Sequence, residues 1–149
     1  MVRAARITDI DRIVALSDGG MHRGDSPLDA ADLLRQLVYL PQASIFVAEV
    51  RREVVGGAVL ALRPSVRAGG FVGTVDLLVV DPAHDADRVT DALLEEVLRS
   101  ASNKGCTVVE ASVPDDPDVR ARWERQGFTT PRTITERTVE AAGAARRDR

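Results

Sequence analysis

Residues 71–98 read FVGTVDLLVVDPAHDADRVTDALLEEVL, and this stretch decides the fold. Its first part, Phe71–Val80, is a strongly apolar run rich in valine and leucine and reads as a strand. Asp81-Pro82 ends it, because proline brings no ladder donor. Between Asp87 and Ser102 the apolar residues Val89, Ala92, Leu93 and Val97 fall on one helical face. Asp85 or Asp87 stands where a side chain caps that helix. A strand that passes through a short polar turn into a helix leaves unpaired helix amides at the strand's end.

The flanking sequence supplies the rest of an alternating pattern. Upstream, Ser44–Val50 and Val54–Leu62 are strand-like and joined by the charged turn Arg51-Arg52-Glu53; Arg63–Gly70 forms a second turn region. Val2–Arg6 predicts a short strand. Thr8 or Asp9 then caps a helix carrying Ile10, Ile13, Val14 and Leu16. Asp18–Pro27 holds three glycines and a proline and reads as a loop. Leu28–Leu40 resumes helical spacing, and Pro41 ends it. Tyr39, at that helix end, is expected to be structural. Downstream, Gly105 precedes a strand over Cys106–Val113, and Asp116–Gln126 forms a helix closed by Gly127 as a left-handed cap. Phe128–Thr130 and Thr133–Val139 are expected as final strands. The tail 141–149, small and charged, is expected to be disordered. The pattern is that of one α/β (α+β) domain over residues 1–140.

Composition narrows the classes of function. The 149 residues are 44% hydrophobic and 29% charged, with a formal net charge of −3, which argues against non-specific binding to nucleic acid or an anionic membrane. Cys106 is the single cysteine, so neither an intrachain disulfide nor a cysteine zinc site can form. The two histidines show no metal-ligand spacing. With no signal-peptide pattern and no apolar run long enough to span a bilayer, a cytoplasmic location is expected.

Four stretches together resemble the GNAT N-acetyltransferases. Leu78-Val79-Val80-Asp81-Pro82-Ala83-His84, followed by Ala92-Leu93-Leu94-Glu95-Glu96-Val97-Leu98, is similar to that family's central motif. Arg3-Ala4-Ala5 with Asp9 and Ile13 resembles its opening strand and helix, and Val54-Val55-Gly56-Gly57 its third strand. Trp123-Glu124-Arg125-Gln126-Gly127-Phe128 resembles its late motif, Tyr-Glu-Lys-Leu-Gly-Phe. The resemblance implies a mixed, mostly antiparallel, splayed sheet flanked by helices. It implies acetyl-CoA as co-substrate, between the fourth and fifth strands. Leu78, Val79 and Val80 would meet the pantetheine arm, and the turn amides the pyrophosphate.

The sequence departs from the family at this turn. Asp85-Ala86-Asp87-Arg88-Val89-Thr90 stands where relatives carry Arg/Gln-x-x-Gly-x-Gly/Ala. Side chains replace glycines, and Asp85 and Asp87 bring negative charge toward a diphosphate; Arg88 can offset it by bonding a phosphate oxygen. The alternative is that both aspartates only cap the helix and Arg88 is solvated. Trp123 occupies the position of the customary proton-donating tyrosine, and an indole cannot act as a general acid. Trp123 is either part of the catalytic site or a packed aromatic. Asp116 replaces a frequent asparagine, keeping a cap role but leaving a pantetheine contact open.

Asp76 interrupts the apolar run and sits where relatives often place an acidic residue near the acceptor. It is the candidate base, or else a carboxylate on an exposed face or paired with an arginine. The backbone amide near Val79 or Val80 would hold the oxyanion. His22 and His84 are weaker contact candidates, and Cys106 reads as a buried apolar residue. Two functions stay open: acetyl transfer to a small-molecule or peptide primary amine, and a non-catalytic GNAT-like domain that binds a partner or ligand. Edge strands also leave a homodimer open.

Overall fold

Strand β2 (Ala43–Val50) sets the layering. Its Phe46 and Ala48 enter one buried cluster and its Ile45 and Val47 another, as the two-residue period of a strand requires. The computed structural model describes residues 1–17 and 29–140, and its five strands form one sheet in the order β1-β2-β3-β4-β5. These are β1 Val2–Ala4, β2, β3 Glu53–Ser65, β4 Gly70–Val80 and β5 Cys106–Ala111. The first three pairings are antiparallel, and β4 and β5 run parallel. A parallel step needs a crossover, which α3 (Ala86–Asn103) supplies. Helices α1 (Ile10–Leu16) and α2 (Ala30–Leu37) cover one face through Ile10, Ile13 and Leu34. On the other face α3 and α4 (Pro117–Arg125) contribute Leu93, Leu94, Val97 and Trp123. This is the mixed, mostly antiparallel sheet expected from the sequence.

Several local expectations change. Asp9 does not cap α1. Its buried carboxylate accepts two bonds from Arg3, at 2.8 and 3.2 Å, and one from the Arg6 amide at 2.7 Å. Arg3 also donates to Glu49 at 2.8 Å. Asp9 therefore ties β1 to the start of α1, and its charge survives burial because it is fully paired. Helix α2 ends at Leu37, leaving Tyr39 exposed and without a packing role. The second turn is shorter than expected, since β3 and β4 pair out to Ser65 and Gly70.

Gly56 and Gly57 lie inside β3, within the run expected as a strand. A Cβ on Gly56 would stand 2.8 Å from Val89 Cγ1 and 3.0 Å from the Val79 oxygen, so glycine there lets α3 approach the sheet. The two final strands do not form. Phe128 is held by α4, its amide donating to the Trp123 carbonyl at 3.3 Å, and no backbone hydrogen bond from residues 129–140 to β5 is present among the described residues. Ile134 and Val139 are the only large apolar side chains after Phe128, too few for a buried face. The Asp18–Pro27 loop with His22, the start of the second helix at Leu28, and the tail 141–149 lie outside the described residues.

Candidate active site

Strand β4 is paired on both sides for only half its length. From Phe71 to Val75 it bonds to β3 and to β5, and the last β5 partner is Ala111, opposite Val75. At the next residue the β3 ladder shifts. Val75 faces Leu60 and Leu77 faces Val59, so Asp76 is an extra residue with no partner. Such a bulge bends the strand and ends pairing. Beyond it, Leu77–Val80 stay bonded to β3 but, among the described residues, have no partner on the β5 side. The Asp81 amide donates to the Val55 carbonyl of β3 at 2.7 Å. Backbone direction alternates along a strand, so Val79 also faces β3, while Leu78 and Val80 turn their amides and carbonyls into the opening.

This opening leads to the N-terminus of α3. Asp81 anchors the turn, accepting from the Ala83 amide at 2.9 Å and from Arg12 of α1 at 2.8 Å. The Ala83 amide, with the positive charge of Arg12, holds its carboxyl below the usual range. Asp85 is the N-cap, and one of its oxygens accepts from the Asp87 and Arg88 amides at 3.1 and 3.3 Å. The Val89 amide already bonds the Asp85 carbonyl at 3.0 Å. Of these first-turn amides only that of Ala86 is left without an acceptor among the described residues. A carboxylate of the chain itself thus sits where an external anion would be received.

Asp87 is bound from α4. Arg122 Nε donates to it at 2.6 Å, and Arg125 stands 3.8 Å away. Arg125 also donates to both Asp91 oxygens at 3.0 Å, and Gln126 to one of them at 3.0 Å. The Gln126 bond first and Arg125 second keep the Asp91 carboxyl below its ordinary pKa. These contacts join α3 to α4 beside the opening. Arg88 is exposed and its side chain makes no hydrogen bond or ion pair among the described residues, so its guanidinium is available to an anion.

The remaining sequence candidates fall in different places. Asp76 is exposed at the bulge, unpaired among the described residues, which explains how a carboxylate interrupts an apolar strand. Trp123 is buried, 6% exposed, with its ring edge-on to Phe128 at 5.0 Å between centroids. The Val89 and Thr90 side chains point into the core, so of the turn residues they offer least to a ligand. Asp116 caps α4, accepting from the Asp118 and Val119 amides at 2.9 and 3.3 Å. His84 lies in the turn, its amide bonded to the Asp81 carbonyl. Cys106 is half-buried beside Gly73, whose Cβ would stand 3.5 Å from the sulfur.

A family model described as acetyltransferase (GNAT) family matches residues 11–128. The chain belongs to the GNAT acetyltransferase family. Among solved structures it is similar to a transcriptional regulator from Bacillus halodurans, at 18% identity and a TM-score of 0.80. That alignment covers 93% of this chain and 99% of the other. A ribosomal-protein-alanine N-acetyltransferase from Brucella melitensis biovar Abortus aligns over the same shares, with 18% identity and a TM-score of 0.72. An aminoglycoside acetyltransferase from an uncultured soil metagenomic sample is 14% identical, with a TM-score of 0.70 and 95% of each chain covered. These likenesses show the shared fold. No curated protein sequence matches the chain.

In this GNAT domain, sequence reasoning passed over Arg122 and did not assign Arg125 or Gln126 to the α3 terminus. A signal was present: Arg122 and Arg125 are three apart on one helix, and Asp87 and Asp91 four apart on another, spacings that place each pair on one face.

Proposed function

We propose that this GNAT domain transfers an acetyl group from acetyl-CoA to a primary amine of a small molecule or peptide. The reading is carried by the one-sided pairing of Leu77–Val80, which exposes the Leu78 and Val80 backbone groups beside the Asp76 bulge. An extended amide-containing arm, such as pantetheine, satisfies such an edge as an added strand would. The Val80 amide is the better placed of the two oxyanion donors considered, because that of Val79 faces β3. Asp76 is the candidate base, able to accept the ammonium proton directly or through water. A thiol with a pKa of about 8.5, the value for cysteine, departs without a strong acid, so the buried Trp123 is not required to donate a proton. At the phosphate end the fit is conditional: Arg88 is free, but Asp85 must release two amides.

That last point favours a second reading, a non-catalytic GNAT-like domain whose phosphate site is filled by its own carboxylate. Thermal unfolding with and without millimolar acetyl-CoA separates the two. Ligand at about 100 times its Kd adds roughly 2.7 kcal/mol. At about 2–4 °C per kcal/mol for a chain of this size, the melting temperature rises by several degrees. A rise followed by turnover in an amine screen supports the transferase. No rise removes it in favour of the binding domain.

A further inference from the structure

The guanidinium of Arg12 reaches from α1 to two other parts of the fold, and one of them is the turn that joins the open edge of β4 to α3. Its Nε donates to the Val54 carbonyl of β3 at 3.1 Å, and its Nη2 to Asp81 Oδ2 at 2.8 Å. Glu53 stands 3.5 Å from the same nitrogen but is 62% exposed, so it adds little. The Asp81 side chain is only 15% exposed, and every polar atom of the residue has a partner. Its amide bonds the Val55 carbonyl at 2.7 Å, and its carbonyl accepts from the His84 amide at 3.1 Å. Oδ1 accepts from the Ala83 amide at 2.9 Å, which leaves Oδ2 to Arg12. Arg12 and Asp81 are thus fastened to consecutive residues of β3.

Only residues 81–84 separate Val80, the last residue of β4, from Asp85, the N-cap of α3. Among the described residues, Arg12 is the one side chain bonded to this turn from outside it. A carboxylate oxygen that is largely out of water and loses its cation must turn toward solvent. In doing so Asp81 would give up its bond to the Ala83 amide, because both oxygens move together. The separation between the β4 edge and the first turn of α3 would then no longer be fixed.

We infer that Arg12 is a positioning residue: by holding Asp81 it sets the spacing between the open Leu78–Val80 edge and the first turn of α3, so that one extended ligand engages both. The inference rests on the acetyl-CoA reading, in which the pantetheine arm lies on the edge and the diphosphate at the helix end. A donor that meets the edge alone does not sense this spacing. Arginine suits the task because its planar fork addresses a carbonyl and a carboxylate at once, whereas a lysine ammonium is a point charge.

The test compares acetyl-CoA with S-acetylpantetheine, which carries the same arm and thioester but no phosphate. Arg12→Met is expected to lower kcat/KM about tenfold with acetyl-CoA, through KM, and less than about twofold with S-acetylpantetheine. Equal losses with both donors would reveal a general structural role and overturn the inference. Asp81→Asn should reproduce the pattern, and the double variant should be no worse than the worse single one, as for residues that act through one contact. Additive losses overturn it. Should Arg12→Met lose its fold, Arg12→Lys, which keeps the charge without the fork, is judged by the same ratio of donors. Amide exchange of Ala83 and His84 in the ligand-free chain, followed by nuclear magnetic resonance, gives a readout independent of acetyl-CoA. Faster exchange in the variant supports the inference, and unchanged exchange overturns it whatever the donors show. If those amides exchange faster but the unaltered chain neither binds acetyl-CoA nor turns over either donor, it is the transferase reading that falls, and the ligand half of the inference with it.

Discussion

The two halves of β4 differ in one respect and behave as different structures. Phe71–Val75 is an interior strand, bonded on both sides. Leu77–Val80, in the same strand and equally apolar, is an edge. Between them lies a single exposed carboxylate, Asp76. The bulge also accounts for side-chain direction: Val75 packs toward α3, and Leu77, two positions on, packs toward α1 and α2. In a regular strand those two residues share a face. One extra residue therefore divides a stabilising half from a half whose polar backbone is left for a ligand.

The largest expected effect is on the closed half. Trp123 shares with Val75 of that half the buried cluster that includes Leu93, Leu94 and Val97, and packs against Phe128. Trp123→Ala is expected to cost about 3–5 kcal/mol in chemical denaturation, the range for truncating a buried large aromatic. Trp123→Phe should cost much less and leave any acetyl-transfer rate within a few-fold. A Trp123→Ala variant of near-native stability that had lost turnover would show instead that the indole acts in the chemistry.

Deleting Asp76 tests the division itself. Without the bulge residue, Val75 and Leu77 become neighbours on opposite faces, which is where their side chains already point, and the β3 register becomes regular. The deletion variant is expected to fold, with β4–β5 pairing extended beyond Val75. The acetyl-CoA-dependent rise in melting temperature, roughly 2.7 kcal/mol in free energy at 100 times the Kd, should disappear. Asp76→Asn is the companion: it keeps the extra residue, so acetyl-CoA should still stabilise it while turnover falls if Asp76 is the base. Retention of the full ligand shift after deletion would detach the opening from the bulge.

How much of this was legible in the sequence depends on where the information resides. The order of elements, the two-faced helices and the cap at Gly127 are local, set by apolar period and by a backbone at φ 88° that favours glycine. The resemblance in four ordered stretches carried the mixed topology. What local pattern did not reveal was pairing. Asp76 was visible as an anomaly, but its being a bulge depends on the register against Val59 and Leu60. Thr133–Val139 has the composition of a strand and forms none here, because a strand requires a partner as well as a propensity. Gly56 and Gly57 fall inside a run that reads as a strand, and only the proximity of Val89 and Ile13 explains why glycines stand there. Likewise, the arginines on α4 acquire a role only when α3 is seen beside them.

A smaller effect is expected from the cap that borders the open half. Asp85→Ala removes the acceptor of two α3 amides and one negative charge. Loss of an N-cap costs about 0.5–2 kcal/mol, so the melting temperature without ligand should fall by a few degrees. Under the transferase reading the freed amides and the lower charge should tighten acetyl-CoA binding by about tenfold, or 1.4 kcal/mol. Calorimetric titration of the variant and of the unaltered chain measures the difference directly. A stability loss with no gain in affinity would show that Asp85 is a cap alone and that the phosphates, if bound at all, are held elsewhere.

The smallest effect separates the two halves by pH. Asp81 and Asp91 border the open half, the first held low chiefly by the Ala83 amide and then Arg12, the second by Gln126 and then Arg125. Glu110 lies on the closed half, held low by Arg63 first and Thr74 second. For each, the folded carboxyl ionises more readily than the unfolded one, whose pKa is about 3.9 for Asp and 4.3 for Glu. The folded state therefore gains stability from these groups above those values and loses it as pH falls through the lower folded ones. Neutral to mildly alkaline solution should leave the contribution unchanged. The pairs are exposed enough for salt to weaken them, so the acid limb should flatten at high ionic strength. Asp91→Asn should remove part of the limb and loosen α4 from α3, with little change in the protection of β4 and β5 amides around Gly73. Glu110→Gln should remove a similar part without affecting α4. If Asp91→Asn instead loosened β5 as much as α4, the two halves of β4 would be coupled through the helices rather than divided at Asp76.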